Sequence, residues 1–78
     1  MTTIPIVDAE ATGIRIRQLL DGANISIRDL QDIMGFTTRN AIYKWTQGKC
    51  LPSIDNLVVL SAVLGVSINE IVVVRYSA

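Results

Sequence analysis

The sequence predicts an all-α domain, a compact bundle of about five short helices joined by tight turns. Three observations carry this. Serine or threonine recurs at helix starts and glycine at helix stops. Between them the apolar residues repeat at steps of three and four, the period of one helix face. The chain has 78 residues, half of them apolar and 18% charged, which suits one small domain and is too apolar for a disordered tail.

Residues 1–10 read as an N-terminal arm, because Pro5 breaks an early helix and the stretch is threonine-rich. A first helix starts at Ala9 or Thr12 and runs to Asp21, with Ile16, Leu19 and Leu20 on one face and Gly22 as its stop. Ser26 is placed to cap a second helix over Ile27 to Met34, with Asp29 three residues on as the reciprocal partner of a capping box. Leu30, Ile33 and Met34 form its apolar face and Gly35 ends it. A third helix is expected over 38–47, stopped by Gly48, with Ala41, Ile42 and Trp45 facing inward. Pro52 cannot continue a preceding helix and Ser53 caps a fourth, whose buried stripe is Ile54, Leu57, Leu60, Ser61 and Leu64 before Gly65. Ser67 and Glu70 form a second capping box, opening a short last helix through Ile71 and Val72. The closing valines, Arg75 and Tyr76 are open to either helical or extended structure. The domain proper is expected over 11–73, with 74–78 as a C-terminal tail.

Composition excludes several function classes. Histidine is absent, which removes the commonest general base and metal ligand. With no paired catalytic carboxylates and no glycine-rich phosphate loop, neither an enzyme nor a cofactor or metal site is expected. The single cysteine, Cys50, cannot form an internal disulfide and reads as a small loop filler. The N-terminus lacks the basic start and apolar core of a signal peptide, and the apolar run at 71–74 is far too short to cross a bilayer. A cytoplasmic protein without membrane contact or small-molecule ligand is expected. Seven basic and seven acidic residues sum to zero, so affinity for a polyanion must come from clustering.

The cluster is in the third helix. Two short helices around a glycine turn, the second with a polar and basic outer face, describe a helix-turn-helix, here over 26–47. Thr38, Arg39, Asn40, Tyr43 and Lys44 point away from the Ala41, Ile42 and Trp45 face. Between Phe36 and Ser53 lie Arg39, Lys44 and Lys49 and no acid. Trp45 shares the Ile42 face and is read as core, not as a base-stacking group.

Residues 25–72 resemble the lambda-repressor-like, XRE-family helix-turn-helix domain. The ordered set that carries the resemblance is Ile25-Ser26, Leu30, Ile33-Met34-Gly35, Ala41 to Trp45, Gly48, Pro52-Ser53-Ile54, Leu57, Leu60-Ser61, Leu64 to Ile68 and Glu70-Ile71. The resemblance implies sequence-specific binding of double-stranded DNA by the third helix, as a homodimer on a two-fold operator. It places Thr38, Arg39, Asn40 and Lys44 on base edges. Thr37, Tyr43, Lys49, Arg28 and Arg17 are expected on phosphates. The side-chain chemistry agrees, since Arg suits the O6/N7 edge of guanine and Asn the N6/N7 edge of adenine.

Three positions depart from the family pattern. One extra residue lies between Gly35 and Gly48, assigned to the Phe36-Thr37-Thr38 turn. Ile27 stands where the family often has a phosphate-clamping glutamine, and Gln31 where a small alanine lets the two helices approach. Valines exceed what so small a core can hold, and Val59 and Val63, four apart, share a face. With Val73 and Val74 they are the expected homodimer interface. The function expected is therefore a small DNA-binding regulator, read as a repressor. The alternatives are a protein-interaction module or an antitoxin component built on the same fold.

Overall fold

A computed structural model describes residues 3–77. Strand β1 (Ile4–Val7) leads into helices α1 (Ala9–Gly22), α2 (Ile27–Met34), α3 (Asn40–Thr46), α4 (Ile54–Leu64) and α5 (Ile68–Ile71), and strand β2 (Val74–Ser77) closes the chain. The five helices are those the sequence predicts. Among the described residues, no helix is long and apolar enough to cross a membrane.

Local hydrogen bonding explains most of the boundaries. Ser26 accepts from Asp29 N–H at 3.0 Å while Asp29 Oδ2 accepts from Ser26 N–H at 3.2 Å, the full capping box. Ser67 and Glu70 repeat it on α5, and Ser53 accepts from Asn56 N–H on α4. Gly35, Gly48 and Gly65 each sit in the left-handed region that ends a helix. The stop of α1 differs from expectation. Gly22 is the last helical residue, and the left-handed position is Asn24, φ 58°. Asn24 N–H bonds Asp21 O and Ile25 N–H bonds Leu20 O, so the cap falls two residues later, on a residue type that tolerates this conformation. Gly22 is thus a helical glycine with open space where a Cβ would stand. Gly22→Ala is expected to stabilise the domain by about 0.5–1 kcal/mol, read as a rise in melting temperature.

Each helix sends at least one side chain into a single core: Ile16 and Leu20 from α1, Leu30 from α2, Ile42 and Trp45 from α3, Leu60 from α4 and Ile71 from α5. Two residues expected in apolar stripes lie outside it. Ile54 is 75% exposed and Ile33 51% exposed. Ile54 occupies the first position of α4, on the flank of the Leu57, Leu60 and Leu64 stripe. Ile33 flanks the arc of α2 that Leu30 and Met34 present to the core. Helical spacing defines a face, but only a packed neighbour decides how wide a face is covered.

The expected arm and tail pair with each other. β1 and β2 form an antiparallel ribbon with Ile4 opposite Ser77 and Val7 opposite Val74. Buried Thr12 secures it to α1: its hydroxyl accepts from Val73 N–H at 3.0 Å, and Asp8 N–H donates to Val73 O at 2.8 Å. Ile4, Ile6 and Val7 on one strand and Val74 and Tyr76 on the other are β-branched or aromatic, which favours extended pairing.

α3 is held against α1 by backbone approach. A Cβ on buried Gly13 would overlap the Trp45 carbonyl oxygen and lie 3.0 Å from that of Thr46. A Cβ on Gly48 would lie 2.7 Å from Glu10 Cα. Two glycines thus let the last turn of α3 and the turn after it rest directly on α1.

Candidate nucleic-acid interface

α3 is amphipathic over only seven residues. Ile42 and Trp45 are buried and Ala41 is half-buried, whereas Asn40, Tyr43, Lys44 and Gln47 are exposed. These four fall at positions i, i+3, i+4 and i+7, one stripe on the solvent side. Gln47 was not among the expected contacts, although its spacing from Asn40 is the signal that would have found it.

The helix begins later than expected. Thr38 and Arg39 precede it, Arg39 occupies the N-cap position, and the segment 37–39 is a bend. Thr38 Oγ1 accepts from Asn40 N–H at 3.3 Å in place of a helical partner. Thr37, Thr38, Arg39 and Asn40 are all exposed, so the structure presents them together at the start of α3.

Gln31 is bound to the turn that follows α2. Half-buried on α2, it donates from Nε2 to Phe36 O at 3.2 Å and accepts from Arg39 Nε at 2.9 Å. Ile27 packs against the core, which accounts for an apolar residue where a phosphate clamp is usual.

The expected phosphate contacts divide. Arg28 is exposed on the first turn of α2, and Lys49 is exposed in the turn after α3, where its N–H bonds Lys44 O at 2.9 Å. Tyr43 and Arg17 line one open groove of about 720 Å³ with Asp21, Asn24, Ser26 and Asp29. Arg17 Nε lies 3.7 Å from Asp21 Oδ1, both side chains well exposed, so this pair contributes little to stability and opens readily. Arg15 is committed within the fold, donating to Glu70 O at 2.9 Å. Cys50 is exposed and not the loop filler that its setting suggested.

The expected dimer residues lie on two elements. Val59 is exposed and Val63 half-buried on one side of α4, and the more exposed Ile54 and Val58 lie on another side of the same helix. Val73 is half-buried next to Thr12, and Val74 is exposed in the ribbon.

Comparison with known proteins matches this arrangement. A helix-turn-helix family profile covers residues 16–71. Among solved structures, the restriction-modification controller protein C.AhdI from Aeromonas hydrophila aligns at a TM-score of 0.72 and 23% identity, over 82% of this chain and 96% of that one. The DNA-binding domain of BldD aligns at 0.71 and 15% identity, over 85% and 94%. These likenesses show a shared fold. No curated protein matches the sequence.

Proposed function

Because the chain belongs to the helix-turn-helix family of DNA-binding transcription regulators, we propose that it binds a specific operator as a homodimer and represses by occluding it. In this reading α3 enters the major groove, with Arg39, Asn40, Lys44 and Thr38 on base edges. Lys49, Arg28, Thr37 and Tyr43 meet phosphates, joined by Arg17 once its pair with Asp21 opens. The observation that carries the reading is the solvent face of α3: exposed, basic, and free of acids from Phe36 to Ser53. A domain that only docked on proteins would have no need to exclude acids there. The two proteins that share its fold, a controller protein and a DNA-binding domain, support it.

No catalytic step, cofactor or small-molecule effector enters this proposal, and the proposed setting is the cytoplasm. Two-fold binding would use Val59 and Val63 of α4, with Val73 and Val74 at the start of the C-terminal strand. A monomer in sedimentation at high micromolar concentration would overturn the homodimer. The exposed Ile54 and Val58 on α4 favour one second reading, a module that docks on another regulator or on a toxin.

Selection from a randomised duplex pool over a salt series separates the two readings. A DNA-reading protein is expected to enrich one palindromic motif. With Lys49, Arg28 and Arg17 neutralising about three phosphates per protomer, affinity should fall with a log–log salt slope of about −3 for each half-site. No retention at low salt would leave the docking module.

A further inference from the structure

Three hydrogen bonds tie Gln31 to Phe36 and Arg39. Its backbone carbonyl accepts from Phe36 N–H at 3.1 Å, the closing bond of the Gly35 cap. Its Nε2 donates to Phe36 O at 3.2 Å, and its Oε1 accepts from Arg39 Nε at 2.9 Å. Chemistry dictates the orientation of this amide. A carbonyl requires the NH2 end, and a guanidinium, which has no acceptor, requires the oxygen end. Phe36 in turn meets buried Trp45 edge-on, ring centroids 5.9 Å apart. An exposed arginine at the head of α3 is therefore tied through one half-buried amide to the core side of the same helix.

We infer that Gln31 is a positioning residue that sets the specificity of Arg39. Its amide takes up Nε, the donor that could otherwise turn side-on to a base, and leaves the two terminal NH2 groups for an end-on fork. Among the described residues, the Arg39 side chain makes no other hydrogen bond or ion pair. Two parallel donors match a paired acceptor edge, and in the major groove that edge is O6 and N7 of guanine. Ordering the long side chain before binding removes part of the entropy cost of binding. This rests on the reading of α3 as the DNA-facing helix. It assigns the bulky residue on α2 a task that alanine at that position cannot perform.

Gln31→Met keeps the volume and removes the amide, so it tests the role with little disturbance to packing. The probe is the duplex that the wild-type protein selects from a randomised pool, with each base pair then varied. Gln31→Met is expected to reduce the preference for guanine at the Arg39-dependent position about three- to tenfold, with an unchanged salt slope. In an Arg39→Ala background it should have no further effect. An equal loss in that background would show that Gln31 only braces the turn. Tighter binding by Gln31→Met would show that it holds Arg39 away from DNA, and either result overturns the inference. If Arg39→Ala itself relaxes no base pair, the assignment of Arg39 falls first. A readout without DNA separates the two failures: exchange of the Arg39 Nε–H with water, followed by NMR on the free protein. It should quicken at least about threefold in Gln31→Met; an unchanged rate means the amide does not hold the guanidinium.

Discussion

Gly13→Ala is expected to destabilise the domain by about 3 kcal/mol or more, at the upper end of what overpacking costs. The added methyl meets the Trp45 and Thr46 carbonyls, which are backbone atoms that cannot rotate aside. Either α1 and α3 separate, losing contact between Ile16, Ile42 and Trp45, or both helices distort. A domain of 78 residues has a total stability of about 4–12 kcal/mol, so this single methyl would remove a quarter or more of it. Thermal unfolding should register a fall of about 12 °C or more. Gly22→Ala on the same helix is the natural control, because it adds the same methyl into open space and should move the midpoint upward. Equal midpoints for the two variants would mean that the α1–α3 approach is looser than the geometry indicates. The carbonyls displaced belong to the last turn of α3, so DNA affinity should fall even where Gly13→Ala remains folded.

The largest expected effect on recognition is that of Arg39→Ala. If Arg39 makes a bidentate contact to guanine, its loss should cost about 1–3 kcal/mol of discrimination at one base pair per half-site. Affinity for unrelated duplexes should change far less. Lys49→Ala should behave in the opposite way. It should weaken binding to all sequences alike and reduce the magnitude of the salt slope by about one per protomer. The two variants together distinguish a reading contact from a holding contact. A uniform loss with Arg39→Ala, without relaxation at any position, would move Arg39 to the phosphates and leave the reading to Asn40 and Lys44.

The helices were legible in the sequence because their ends are governed by short-range chemistry. Ser26 with Asp29, Ser67 with Glu70, and Ser53 with Asn56 satisfy orphan N–H groups within three residues, and Gly35, Gly48 and Gly65 supply the backbone that the helix exits require. The polar face of α3 was legible for a similar reason, since spacing alone separates Asn40 and Lys44 from Ile42 and Trp45. Even the stop of α1 followed a local rule, read on Gly22 when Asn24 obeys it. Tertiary structure decided everything that depends on which backbone comes near another. It set Gly13 directly against the α3 backbone, joined the two strands to α1 through Val73 and Thr12, and left Ile54 and Ile33 in solvent. It also turned Gln31, a bulky intruder by spacing, into the link between the turn and Arg39. Caps and periodicity act over three to five residues along the chain, whereas Gln31 with Arg39 and Thr12 with Val73 join residues eight and sixty-one positions apart, and only the packing of the whole core brings them together.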